Sequence, residues 1–196
     1  MLTIHHVPAR VTLRHVILTV CCLLAVGATA QPAGVVLDTL HVRHVDAEGR
    51  THEGTLICNR EISRDLRDIF AQLYEAGYPI ERIRPISDYG DDDERSMQAN
   101  NTSCYCYRPI AGSARLSKHA RGLAIDINPL YNPCVRRRKD GTLLIQPATG
   151  RPYVDRSKSF PYRITKRDLC YRLFTRHGFR WGGDWRTLKD YQHFEK

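Results

Sequence analysis

Beyond residue 30 the sequence has no long hydrophobic run, so no later stretch reads as a membrane span. It has no internal repeat and no low-complexity tract, which excludes a solenoid and a compositionally disordered arm. No βαβ unit recurs, which argues against a doubly wound parallel sheet. No two cysteines are spaced Cys-x-x-Cys, so a structural zinc finger has no support. Acidic residues are the minority charge: 21 Asp and Glu stand against 30 Lys and Arg in 196 residues, a formal net charge of +9. Wall polymers, membranes and nucleic acids are all anionic enough to meet such a chain, and charge alone selects none of them.

The one apolar run lies at residues 16–26, after Arg10 and Arg14 and before Ala28-Thr29-Ala30. A charged start, a short hydrophobic centre and small residues at a cleavage point describe an export signal over residues 1–30. The run is too short for a comfortable transmembrane helix, although an uncleaved anchor is the alternative. Cys21 invites a lipid anchor, but Val20 precedes it where such a site wants a small residue. The expectation is therefore a periplasmic or secreted monomer, residues 31–196 forming a single domain with no stable membrane span once the signal is removed. Export permits disulfides, and five cysteines lie beyond the signal, an odd count. Cys104 and Cys106 are two apart in an apparent strand and point the same way, so they do not pair with each other. One of them with Cys58, and Cys134 with Cys170, are the expected pairs.

The chemistry concentrates in two places. In residues 117–126, Ser-Lys-His-Ala-Arg-Gly-Leu-Ala-Ile-Asp, His119 and Asp126 stand seven apart; His193 lies far downstream, three residues after Asp190. Two imidazoles and a carboxylate are the nitrogen and oxygen donors that hold a catalytic zinc with one position left for water. From Leu123 to Asn128 large apolar residues alternate with small or polar ones, the period of a half-buried strand. Leu123, Ile125 and Ile127 are expected to face the core; Ala124, Asp126 and Asn128 share the other face. Gly122 permits a tight entry that folds His119 back beside Asp126. Pro129 stops the strand.

The pattern Ser-x-His-x-x-Gly-x-Ala-x-Asp, followed late in the chain by Asp-x-x-His, resembles the M15 family of zinc peptidases. These include D-alanyl-D-alanine carboxypeptidases, VanY-like enzymes and the L-alanyl-D-glutamate endopeptidases of phage lysins. The likeness extends over residues 100–103, Tyr107-Arg108-Pro109, Gly112-Ser113, residues 116–129, Asn132-Pro133 and Gly182-Gly183-Asp184-Trp185, and so spans roughly residues 80–195. It implies one Zn2+ held by His119, Asp126 and His193, with Asp190 as general base, a position where members often carry Glu. It also implies Arg108, in its Tyr-Arg context, as the stabiliser of the developing oxyanion. Ser117 is expected to hydrogen-bond the ligand shell or the substrate, Gln98 to contact substrate and Asp184 to orient a histidine. Cys104-Tyr105-Cys106 departs from the family, whose members tend to carry other residues there. The implied activity is hydrolysis of peptidoglycan peptides, with no nucleic-acid partner. A catalytically silent zinc or cell-wall module on the same fold is one alternative; a basic nucleic-acid or envelope-binding protein is another.

The remainder reads as scaffold. Residues 35–45 and 51–58 flank Asp46-Ala47-Glu48-Gly49-Arg50 and predict a hairpin. Ser63 is expected to cap a helix to Ala76 with Leu66, Ile69, Phe70 and Leu73 on one face and Gly77 as its stop. Thr165 and Asp168 predict the start of a second helix, ended by Gly178, and residues 179–181 a short strand. Arg136-Arg137-Arg138-Lys139 precedes the turn signal Asp140-Gly141, so this run is either an exposed hairpin tip or a polyanion contact. Residues 140–163 look like a long excursion. The expected fold class is α+β, a small antiparallel sheet with flanking helices, and the resemblance implies the hedgehog/DD-peptidase-like zinc peptidase fold. It divides the domain into an N-terminal hairpin and helix, residues 31–79, and a catalytic core, residues 80–196.

Overall fold

The structure, a computed structural model, describes residues 32–110 and 112–196. The expected export signal lies outside the described residues. Strands β1 (Leu37–Val45) and β2 (Thr51–Asn59) form the antiparallel hairpin, in register from Leu37 opposite Asn59 to Val45 opposite Thr51. Leu40, Val42 and His44 of β1, with Gly54, Leu56 and Cys58 of β2, alternate inward as a sheet with one covered face requires. Helix α1 (Arg60–Glu75) covers that face through Ile62, Leu66, Ile69, Phe70 and Leu73, all nearly inaccessible to solvent. Its cap is Asn59, whose side chain accepts the Glu61 N–H. Ser63, expected there, is a buried residue of the first turn whose hydroxyl donates to the Arg60 carbonyl.

Short elements follow: β3 (Arg82–Ile83), α2 (Asp93–Gln98), β4 (Asn101–Thr102), β5 (Ala124–Asp126), β6 (Cys134–Arg137) and β7 (Leu143–Gln146). Then come α3 (Leu169–Arg176), β8 (Arg180–Trp181), β9 (Lys189–Asp190) and β10 (His193–Glu195). Asp168 caps α3, accepting the Tyr171 N–H at 2.9 Å, and its other oxygen accepts the Thr165 N–H at 3.0 Å. The expected pairing of these two residues is thus reproduced with Asp168 as the cap.

The fold class is α+β, but among the described residues the β structure is divided into four small sheets rather than one. They are β1–β2, the parallel pair β3–β4, and two antiparallel three-stranded sheets ordered β5-β10-β8 and β7-β6-β9. The last two build the site. Strand β5 is buried on both faces, not half-buried: Ala124, Ile125, Ile127 and Asn128 are all inaccessible. Ile125 and Ile127 join the main core with Phe174, Trp181 and Phe194, while the other face packs under the polar centre. Gly122, at φ +64°, leads into β5, and a Cβ there would lie 2.6 Å from the Asn59 amide nitrogen. That glycine therefore serves both the left-handed turn and the close passage of the His119 loop over the end of the hairpin.

All five described cysteines are free, which corrects the expected disulfides. Residues 104–106 form an irregular extended segment rather than a strand. Cys104 donates to the Gly122 carbonyl at 3.4 Å. Cys170 is sealed in the core, whereas Cys134 lines a cavity, so those two face different surroundings. No described helix is long and apolar enough to cross a membrane.

Candidate metal centre and active site

Asp126 of β5 and His193 of β10 are directly opposed Cα partners in the antiparallel ladder, an arrangement that brings facing side chains together. His193 Nδ1 lies 3.2 Å from Asp126 Oδ1. His119 enters from the 3-10 turn His119–Arg121, its Nε2 3.1 Å from His193 Nδ1 and 3.4 Å from Asp126 Oδ2. Ser117 supports that turn by accepting the Ala120 N–H at 3.2 Å.

The outward-facing nitrogens decide what the inward-facing ones can do. His119 Nδ1 donates to the Cys104 carbonyl at 2.8 Å, leaving Nε2 with its lone pair toward the centre. His193 Nε2 lies 3.4 Å from Glu195 Oε2, so in the neutral ring Nδ1 is the inward lone pair. Two imidazole lone pairs and a carboxylate oxygen, within 4.8 Å of one another and buried, converge without a donor among them. Such a set requires a cation, and nitrogen and oxygen donors in this number suit a divalent metal with an open position. Without a metal, a proton does the same work. Burial alone would lower the His193 pKa, but hydrogen bonds to Asp126 and Glu195 and the Asp126 charge raise it to about 10. Burial likewise pushes Asp126 up, yet the charge and hydrogen bonds of His119 and His193 hold it well below the usual carboxylate range.

Asp190 of β9 stands beside this centre. Its Oδ1 is buried and has no hydrogen-bond partner among the described residues. Burial raises its pKa to about 6, with the His193 and His119 charges pulling down and Asp126 pushing further up. That places a carboxylate close to neutrality, where a proton acceptor is most useful. Gly182 makes room for it: a Cβ there would lie 2.7 Å from the Asp190 Cβ and 3.2 Å from that of His193. Gly182→Ala is expected to displace Asp190 and His193 together, lowering metal affinity, turnover and the melting temperature, because the new methyl also meets the Asp190 carbonyl oxygen at 2.6 Å; metal titration beside a thermal melt checks this.

A cavity of about 570 Å³ opens over the centre, lined in part by Asp93, Arg108, Ser117, Cys134, Arg136, Asp190 and Gln192. Arg108 is present as expected, its Nε 2.8 Å from Asp93 Oδ2. Helix α2, which the sequence reading did not foresee, carries Asp93. Gln192, 3% exposed, lines the same space, and its amide oxygen is buried without a partner among the described residues.

Two expected residues are elsewhere. Gln98 is exposed on α2, donating to Glu94 at 3.1 Å, and does not line the cavity. Asp184 is exposed, paired with Lys166 at 2.5 Å, and touches neither histidine. Histidine orientation falls instead to the Cys104 carbonyl and Glu195. The signal for Glu195 was its i,i+2 position after His193, which puts both on one side of β10; the carbonyl of Cys104 left no trace in residue identities.

Residues 111–196 match an M15 peptidase family model described as D-alanyl-D-alanine carboxypeptidase. The match is shorter than the likeness read from the sequence and leaves Arg108 upstream of it. No curated protein and no solved structure matches the chain. Residues 111–196, which carry the converging His119, Asp126 and His193 and the Asp190 carboxylate beside them, belong to the M15 peptidase family.

Proposed function

We propose that the chain is an exported zinc peptidase that hydrolyses peptidoglycan stem peptides, as a D-Ala-D-Ala carboxypeptidase or an L-Ala-D-Glu endopeptidase. The observation that carries this reading is the acceptor-only triad His119, Asp126 and His193 with Asp190 next to it, one carboxylate oxygen of which is buried without a partner among the described residues, beside an open cavity. The family match supports peptide hydrolysis, and the export pattern in residues 1–30 supports a periplasmic or secreted monomer acting on the wall. The hedgehog-like form of the α+β fold and the single domain over residues 31–196 belong to the same reading.

Zinc held by the triad would supply the Lewis-acid charge that polarises the scissile carbonyl and acidifies the attacking water. Asp190 takes the water proton on its free carboxylate oxygen and returns it to the leaving amine. Arg108 supplies the fixed cation for the developing oxyanion, with Asp93 holding its guanidinium in place. A silent zinc-binding module would have no use for an acid raised to about 6 beside the triad.

Digestion of purified peptidoglycan by the zinc-loaded protein, with fragments identified by mass spectrometry, tests the reading; intact stem peptides would refute it. A muropeptide is expected to be cut faster than its all-L counterpart at equal concentration, because a site shaped for a D-residue loses near-attack geometry when the stereocentre is inverted. Equal or faster cleavage of the all-L peptide would indicate a general protease.

A further inference from the structure

Asp190 and His193 are close in sequence but belong to different sheets. Asp190 ends β9, in the sheet ordered β7-β6-β9, and His193 begins β10, in the sheet ordered β5-β10-β8. No ladder among the described residues therefore fixes one against the other, and the link Tyr191-Gln192 has to do so. Two backbone hydrogen bonds hold that link: the Tyr191 carbonyl accepts the Trp181 Nε1–H at 2.9 Å, and the Gln192 carbonyl accepts the Ile127 N–H at 3.0 Å. The Tyr191 side chain adds a further hold, because the Arg156 guanidinium lies over its ring, with Cζ 4.5 Å from the centroid.

Arg156 comes from the excursion over residues 140–163 that the sequence marks as scaffold. Burial brings its pKa down to about 10, so the half-buried group is still a cation at neutral pH. Its acceptors among the described residues are all uncharged oxygens: the carbonyls of Tyr131 at 2.8 Å, Ile164 at 2.9 Å and Tyr153 at 3.5 Å, and Asn132 Oδ1 at 3.0 Å. Carbonyl dipoles fix the plane of the guanidinium, and the electron-rich face of Tyr191 takes up its charge. Asn132, fully buried, anchors the assembly by donating to the Asn128 and Tyr162 carbonyls at 3.0 and 2.8 Å. Arg156 is thus tied through Asn132 to the exit of β5, the strand that carries Asp126, and through Tyr191 to the link between Asp190 and His193.

We propose that Arg156 is a positioning residue: by holding the Tyr191 ring it sets where the Asp190 carboxylate stands relative to His119, Asp126 and His193. The proposal rests on the peptidase reading above. Misplacing a reacting group by about 1 Å can cost roughly 10²-fold in rate. Loss of this hold should therefore appear in kcat and not in metal binding, because His193 keeps its ladder partner Asp126.

The test uses Tyr191→Leu, which removes the ring and leaves the carbonyl contacts of Arg156, with Arg156→Met and Arg156→Lys. Zinc-loaded Tyr191→Leu and Arg156→Met are expected to keep wild-type metal affinity and a KM within about twofold, while kcat on a stem peptide falls roughly 10- to 100-fold. Arg156→Lys recovers part of the loss, and the double variant Arg156→Met with Tyr191→Leu falls no further than the lower single one, since both act through one contact. Wild-type kcat in Tyr191→Leu overturns the proposal, as do losses that multiply in the double variant or that run parallel with loss of metal. If Arg156→Met does not fold, Tyr191→Leu and Arg156→Lys carry the test. Crystal structures of zinc-loaded wild type, Arg156→Lys and Tyr191→Leu read the Asp190 position without turnover. A carboxylate shifted by roughly 1 Å in Tyr191→Leu, less in Arg156→Lys, with the triad in place supports the proposal, and an unmoved one overturns it. Stem peptides left intact by wild type overturn the peptidase reading, and the structural comparison then decides the role of Arg156 alone.

Discussion

Asp190→Ala is expected to keep its metal and to hydrolyse peptide about 10²–10⁴-fold more slowly than wild type. The reasoning separates two jobs. The triad atoms converge within 4.8 Å without any contribution from Asp190, so removal of its carboxylate leaves the donor set whole. What disappears is a carboxylate that has a buried oxygen without a partner among the described residues and that can take a proton. Burial raises its pKa to about 6 in the metal-free site, and the charge of a bound metal brings it down from there. In wild type the base is protonated and idle below its pKa in the loaded enzyme, so activity rises as pH climbs through that lower value. In Asp190→Ala that limb disappears from the residual activity. Metal analysis alongside single-turnover kinetics makes the measurement, and wild-type turnover in a metal-loaded variant would remove Asp190 from the mechanism.

The second large effect is at the ligands. The wild type is expected to bind roughly one equivalent of metal, and His119→Ala and His193→Ala are each expected to lose it, and with it essentially all hydrolysis. Both substitutions remove an inward lone pair, leaving two donors where three are needed. The metal must also displace a proton, because the metal-free His193 holds one up to about pH 10 through its hydrogen bonds to Asp126 and Glu195, which outweigh the effect of burial. Affinity in wild type therefore weakens by about tenfold for each unit the pH falls below that value, and uptake acidifies a lightly buffered solution. Elemental analysis and proton release on titration read these outcomes. Full metal retention in both variants would dismantle the site.

Much of this was legible because it is local. Residues 117–128 put a histidine, a glycine turn and an alternating strand within one short stretch, and the hairpin of β1 and β2 is bounded by its own turn residues. Asp168 was recognisable as a cap because its partners lie three residues to either side. The helix α1 cap was missed for an equally physical reason: Asn59 ends β2 as well as starting the helix, so no loop separates the signals, and Ser63 offered a hydroxyl on what proved to be a buried face. Gln98 lies one turn after Glu94, but that pairing exists only once α2 forms, and α2 was not foreseen. Asp184 had no local partner, and packing gave it Lys166 at the surface.

The sequence by itself determined the kinds of donor available, His119, Asp126, His193 and Asp190, and the strand that presents Asp126. Only the tertiary structure decided that Asp126 and His193 face each other across β5 and β10, which nitrogen of each ring turns inward, and that Arg156 lies over the Tyr191 ring. Those outcomes depend on ladder register between distant segments and on backbone carbonyls such as that of Cys104. Every residue has such a carbonyl, so residue identity does not reveal which one a histidine will meet.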